Sequence, residues 1–478
     1  MTAPTIWIII PIVAAVLLFF LRRKRTLTNL LGILLALLLA LLAWRLPIDT
    51  PISLSLVRQP EITLTSSLAI LGRSLILDNS SRWFLLVVYI SCALWFIGAL
   101  SIKTEATFIS LGLTVAALLT AAISVDPFLY AAILLELAAL ASVLIISPPG
   151  QGVKQGVLRF LTFQTLGMIL ILFSGWMLEQ VNLDPSNEAL ALRAAILLGL
   201  GFIMIISAFP FNTWITMVAE DSNPLTAAFV FFLPPVVIAL LGFSFLDRYP
   251  IFRSTPGITT LLVFMGVIMI FISGLWAAFQ RNLGRIFGLA VAMEIGLILI
   301  GLSQSISAGM EETLVRPTLA SGNILFSFFL TQLIPRGLNL AIWALSMTIL
   351  KRQTGSLKFR DILGLAHRYP LAVLGIGVSS LSLAGFPLFA GFPSRVSTYL
   401  SLSIQSIWLS AMVFLGFLGL SIAIIRSLAV LVPSGLPWQI SETRFQGFLI
   451  IVGCITMFLL GLFPQQFLIG LDKLLVLP

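Results

Sequence analysis

Residues 381–395 read "LSLAGFPLFAGFPSR". They end an apolar run that starts near residue 369 and is long enough to cross a bilayer as one helix. Pro387 falls where that helix should continue. Proline removes a backbone donor and clashes with the preceding turn. Freed backbone groups are tolerated at membrane depth only where protein or a water-filled cavity surrounds them. A second run is broken in the same way, around Pro210, where residues 208–224 read "AFPFNTWITMVAEDSNP". Two proline-interrupted spans in matching positions point to a transport path. The competing reading is a pair of ordinary proline kinks in a structural bundle.

The rest of the chain fits a membrane setting. Of its 478 residues 59% are hydrophobic and only 9% charged, against roughly 25% charged in soluble proteins. The fold class expected is an all-α polytopic membrane protein, one transmembrane domain over residues 1–478, with about fourteen helices. The spans fall near 5–21, 28–47, 83–102, 105–124, 127–147, 157–178, 190–214, 224–246, 258–279, 285–304, 323–350, 369–391, 405–430 and 446–467. The first, "MTAPTIWIIIPIVAAVLLFFLRRKR", carries its charges after the apolar run, so it reads as a retained helix and not as a cleaved signal. The two broken spans lie five apart, and an odd offset makes residues 105–246 and 258–430 inverted five-helix repeats with one discontinuous helix each.

Charge placement gives an orientation. With the N-terminus outside, Arg22, Arg23, Lys24, Arg25, Lys103, Lys154, Arg281, Arg285, Lys351, Arg352, Lys358, Arg360, Arg368 and Arg444 face the cytoplasm, as the positive-inside rule requires. Both termini then lie outside. The net charge of +9 suits anionic lipid or a partner arm and carries no indication of nucleic acid. The outer loop 48–82 alternates polar and apolar residues and predicts a small exposed β-hairpin. Residues 351–368, "KRQTGSLKFRDILGLAHR", predict a short amphipathic helix at the cytoplasmic face. Trp44, Trp83 and Trp438 read as interfacial anchors.

With one histidine, His367, and two cysteines, Cys92 and Cys454, each inside an apolar run, haem, iron–sulfur and zinc ligation are not expected. No phosphate loop occurs either. No cofactor is expected on this chain, and any redox chemistry belongs to another one.

Four stretches carry a family likeness: "LRFLTFQTLGMILILFSGWML" (158–178), "SAFPFNTW" (207–214), "NLGRIFGLAVAMEIGLILIGL" (282–302) and the 381–395 segment. The "LILDNSSRWF" stretch (75–84) adds to them. Together they resemble the antiporter-like subunits of respiratory complex I and of the Mrp cation/proton antiporters, over about residues 76 to 466. Because the chain ends soon after the fourteenth span, it is similar to the shorter members that lack a long lateral helix. The resemblance implies inverted repeats and ion transfer along a buried polar axis. In it, a fifth-helix Glu partners a seventh-helix Lys, and Lys or His residues on the eighth, tenth and twelfth helices continue the path.

Glu136, in "LLELAAL", matches the fifth-helix Glu. A carboxylate at that depth costs about 2.5–3.5 kcal/mol on insertion scales, so it is a functional acid or a neutral structural link. The other positions depart from the family pattern. The seventh-helix Lys position holds Ile205, and the eighth falls at Pro235 or Val236. The tenth-helix position holds Glu294, and the twelfth holds Arg395. Lysine releases a proton readily when buried, whereas arginine stays charged and serves as a counter-ion. Glu294 needs a partner or a proton. Arg336 is one candidate partner, unless it satisfies carbonyls freed by Pro335. Arg159 either pairs with Glu136 or snorkels to the headgroups. Glu220 and Asp221 read as a solvated loop or a helix cap.

The function expected is a proton-translocating membrane subunit of a complex I-like NAD(P)H:quinone oxidoreductase assembly, partnered by other membrane subunits and lipid. The ion path would involve Glu136, Glu294, Arg159, Arg395 and Arg336. The alternatives are a subunit of a multi-subunit Mrp-type Na⁺(K⁺)/H⁺ antiporter and a scaffold paralogue that has lost transport. The membrane is either the plasma or inner membrane or an internal energy-transducing one.

Overall fold

The computed structural model describes residues 2–52, 62–70, 72–102, 104–148, 150, 152, 154–183, 187–248, 257–313, 321–433 and 437–466. Lys103, most of "ISLSLV" and the end of the last predicted span lie outside the described residues. Ten helices among the described residues are long and apolar enough to cross a membrane, and four more are apolar but shorter. Contacts group the chain into two compact units that divide between Ile205 and Ile206.

The first unit holds α1 (Ile10–Phe20), α2 (Arg25–Arg45), α3 (Arg82–Ile102), α4 (Phe108–Ser124), α5 (Tyr130–Ile146), α6 (Gln155–Leu183) and α7 (Glu188–Ile205). A π-helical turn, Thr5–Ile9, leads into α1. There the Trp7 indole donates to the Leu39 carbonyl at 3.1 Å, and its own carbonyl accepts from the Tyr89 hydroxyl, tying α1, α2 and α3 together. Arg82 is buried at the start of α3. Its Nε donates to the Ala43 carbonyl at 3.0 Å and its Nη2 to that of Trp44, so it caps the C-terminal end of α2.

Antiparallel pairing is present in the segment where a hairpin was predicted. Strands β1 (Pro51–Ile52) and β2 (Ile62–Thr63) pair antiparallel, as do β3 (Ser67–Ile70) and β4 (Arg73–Ile76), with β5 (Val125–Asp126) on the far side of β4. Asp78 then leads the chain into α3 by accepting from the Ser81 amide at 2.9 Å. Desolvation alone would raise its carboxyl pKa, but hydrogen bonds from Ser80 and Ser81 outweigh it and hold the group below its ordinary value.

The second unit holds α8 (Thr213–Asp221), α9 (Pro224–Arg248), α10 (Ile258–Phe279), α11 (Leu283–Thr313), α12 (Ser321–Thr354), α13 (Pro370–Ala384), α14 (Phe392–Gln405), α15 (Ile407–Leu431) and α16 (Arg444–Leu462). Helix α11 is its centre: every residue from 286 to 303 is buried. Helix α10 packs against α15 at glycine contacts. A Cβ on Gly274 would lie 1.9 Å from the Gly416 carbonyl oxygen. Helix pairs in lipid approach this closely only where side chains vanish, because packing and not water exclusion holds them together.

The amphipathic helix predicted after residue 351 does not form. Helix α12 runs on to Thr354, and the segment beyond turns through Gly355 and Gly364, both at positive φ, into a single 3₁₀ turn at Leu365–His367. Positive φ is incompatible with continued right-handed helix. The two cysteines are buried and free, while Trp44 and Trp438 are exposed.

Candidate functional site

The interrupted spans are real breaks. Helix α7 stops at Ile205 and α8 begins at Thr213, so Pro210 lies in a seven-residue turn instead of ending a span. Ser207, at φ 64, takes the left-handed conformation that turns the chain, and its hydroxyl accepts from the Trp214 indole at 2.9 Å. Glu220 and Asp221, read from sequence as a solvated loop or a helix cap, are the last residues of α8.

The second break, around Pro387, separates α13 from α14. Gly385 closes α13 at φ 81, with the Phe386 amide bonded to the Leu381 carbonyl and the Gly385 amide to that of Ser382. This is the paired-bond stop that glycine permits at helix C-termini. Gly391 reopens the helix where a Cβ would meet the Ser382 carbonyl oxygen at 1.9 Å. The glycines bracketing Pro387 are therefore as necessary to the break as the proline.

A broken helix leaves its last carbonyls without intrahelical donors. In the first unit the buried Gln164 amide, on α6, donates to the Ile205 carbonyl at 2.9 Å. In the second unit Arg395 Nη2, on α14, donates to the Leu383 carbonyl at 3.1 Å. Each break is thus closed by a side chain from another helix, neutral in one case and cationic in the other.

Glu136 is half-buried on α5. Its Oε1 accepts from the Thr165 hydroxyl of α6 at 2.6 Å, and its buried Oε2 has no hydrogen-bond partner. Arg159 is exposed near the start of α6, and no ion pair joins it to Glu136 among the described residues. The pairing alternative raised for Arg159 is therefore not realised. Ile205 is buried and packs at Gly167 on α6. The acid thus finds a hydroxyl where a lysine was the expected companion. Thr165 and Gln164, two polar residues in the apolar "FLTFQTLG" run, were the available signal for this site.

In the second unit Glu294 and Arg395 are 4% and 3% exposed and form an ion pair through Oε1 and Nη2. Arg395 Nη1 also donates to the Ser394 hydroxyl at 2.9 Å, and the guanidinium lies 5.5 Å from the Phe417 ring centre. Arg336 was one candidate partner for Glu294, but the ion pair of Glu294 is with Arg395. Arg395 acts as the counter-ion that its chemistry suggested.

Arg336 has a different attachment. Its Nη2 donates to the Phe231 carbonyl at 3.0 Å. That carbonyl would ordinarily accept from residue 235, which is proline, inside α9. The freed carbonyl that Arg336 satisfies therefore belongs to Pro235 on another helix, not to Pro335 on its own. A cation reaches this part of α9 from α12, beside the position where the family pattern expects a lysine.

At one end of the second unit, Lys351 Nζ donates to the carbonyls of Glu220 and Ser222 at 2.7 and 2.8 Å, and the Glu220 carboxylate pairs with Arg285 and accepts from Asn282 at 2.9 Å. These contacts anchor the end of α8 to the neighbouring helix ends. Sequence alone did not indicate these contacts.

Comparisons with known proteins bear on the fold and the family. The chain is 27% identical over 238 residues to NADH-quinone oxidoreductase subunit N of Desulfitobacterium hafniense, an alignment covering 49% of this chain and 48% of that protein. It thus spans about half the length of that relative. Among solved structures, it superposes on a chain of the Mrp complex of a Dietzia species with a TM-score of 0.77 at 15% identity, covering 98% of this chain and 95% of the other. A chain of respiratory complex I from Thermus thermophilus gives 0.68 at 20% identity, covering 99% and 98%. Both likenesses show the fold. The family model described as "NADH:quinone oxidoreductase/Mrp antiporter, TM" matches residues 160–421, which include both breaks, Glu294, Arg336 and Arg395. The chain belongs to the NADH:quinone oxidoreductase/Mrp antiporter transmembrane family.

Proposed function

We propose that this chain is a proton-translocating membrane subunit of a complex I-like assembly, with Glu136 as its proton-carrying acid. The observation that carries the reading is the state of that carboxylate. It is half-buried, held by one hydroxyl, with its second oxygen unpartnered. A carboxylate so placed can bind and release a proton at little structural cost. Glu294 is different: it is paired with a guanidinium, a group that does not release its proton. In this reading Glu294, Arg395 and Arg336 are fixed charges that set the field, and Arg159 faces lipid headgroups or a partner. The chain supplies no energy source, so coupling comes from partner subunits that change hydration around Glu136.

Ten long and four shorter apolar helices support the fourteen-span reading, and the two breaks support inverted repeats over 105–246 and 258–430. Both termini outside and an energy-transducing membrane belong to the same proposal. The likeness to the Mrp complex supports a second reading, cation/proton exchange in a multi-subunit antiporter.

The test is Glu136→Gln in the native assembly, purified with its partners and reconstituted into vesicles. Proton uptake is expected to fall at least tenfold, with thermal stability and subunit composition unchanged. Uptake at the wild-type rate would leave a scaffold role. Co-purification with quinone-reductase subunits supports the complex I-like assembly, and small antiporter subunits support the second reading.

A further inference from the structure

We infer that the second unit contains a buried binding site for a small monovalent anion, chloride by chemistry, built on one face of α12 by Arg336, Asn339 and Trp343. The starting point is a charge imbalance. Arg336 is close enough to Glu294 and Arg395 to feel both charges, but its own guanidinium is bonded only to the Phe231 carbonyl. The Glu294 carboxylate is already engaged by Arg395. All three residues are at most 4% exposed. A buried lysine would relieve such an imbalance by losing its proton; arginine does not. The excess positive charge therefore needs a counter-charge.

The hydrogen-bond inventory has the same sign. Arg336 spends only Nη2, on the Phe231 carbonyl, and leaves Nε and Nη1 without partners. Three residues on, Asn339 is fully buried with both amide atoms unpartnered, and after one more turn the fully buried Trp343 has an unpartnered Nε1. Spacings of three and four place these residues on one helix face. Of their unpartnered atoms, the two guanidinium nitrogens, the amide nitrogen and the indole nitrogen are donors. Only Asn339 Oδ1 accepts. A cation finds no anionic ligand in such a set, and a water molecule leaves the charge uncompensated. A halide accepts from N–H donors of this kind and balances the charge. The Phe232 ring, 6.0 Å from the Arg336 guanidinium carbon, sits at the outer limit of a cation–π contact and does not replace an anion. The site is independent of whether Glu136 carries protons.

The test uses the full-length chain with whatever membrane partners co-purify, exchanged into sodium gluconate and titrated with chloride or bromide at constant ionic strength. The melting temperature is expected to rise saturably by several degrees, because a ligand bound only by the folded state stabilises it. The rise should be absent in Arg336→Gln and reduced in Asn339→Leu. Anomalous scattering from crystals of the unsubstituted protein in bromide should place a peak beside Arg336 Nε, a readout that does not require the variants to fold. Equal melting temperatures in gluconate, chloride and bromide, or bromide absent from that position, would overturn the inference.

Discussion

Arg395 shows how much one residue can be asked to do. It neutralises Glu294, closes the carbonyl end of α13 through Leu383 and packs against Gly385, whose added Cβ would meet the Arg395 Cγ at 2.9 Å. Removing one member of a buried pair leaves the other charged and unsolvated, at about 3–5 kcal/mol. Arg395→Gln is therefore expected to lower stability by about that amount, and Glu294→Gln by a similar one. The double substitution should recover a large part of the loss, since with two neutral amides neither position is left charged opposite a neutral partner. Thermal or denaturant unfolding of the four proteins gives the coupling directly; additivity of the two losses would mean that the ion pair is not formed. The identities of Glu294 and Arg395 were legible in the sequence, as was arginine's role as counter-ion. That they pair with each other was not, because the residues are far apart in the chain and Arg336 was the candidate partner that the sequence offered.

At the scale of elements, the breaks depend on small residues and the bundle on close helix contacts. Gly274 on α10 faces the Gly416 carbonyl of α15, and no side chain fits between them. Gly274→Ala is expected to lower the melting temperature, and Gly274→Leu to cost about 1–3 kcal/mol or more by overpacking. Gly242 on α9 provides the contrast, since a Cβ there meets nothing within 4 Å. Gly242→Ala should be neutral or stabilising, by up to about 1 kcal/mol, through the helix preference of alanine. Fluorescence-detected size exclusion after heating distinguishes the two. Proline marked both breaks from sequence. The glycines that shape the second one, and the turn that replaces a predicted helix after Thr354, depend on backbone angles that composition does not reveal.

For the whole molecule, the arrangement of charge predicts a topology that can be labelled. Lys24, Ala69 and Lys358 are all exposed, and the two native cysteines are buried and free, which keeps background reactivity low. Cysteines introduced at Lys24 and Lys358 are expected to react with a membrane-impermeant thiol reagent only from the cytoplasmic side. A cysteine at Ala69, on the outer hairpin, should react only from the opposite side. Labelling of Lys24→Cys and Ala69→Cys from the same side would reverse the assignment of α2 as a span and with it the fourteen-span count.

The amino-acid sequence by itself determined the solvent of this protein, the approximate place of its helices and the position of its two interruptions. Those properties follow from hydropathy, length and proline chemistry, which act locally along the chain. Only the tertiary structure decided which groups meet. Thr165, rather than a lysine or Arg159, holds Glu136; Gln164 closes one broken helix and Arg395 the other; and Arg336 answers a carbonyl that Pro235 freed on a different helix. Such pairings join residues on separate helices, and the hydropathy of a helix does not state which face it turns to which neighbour.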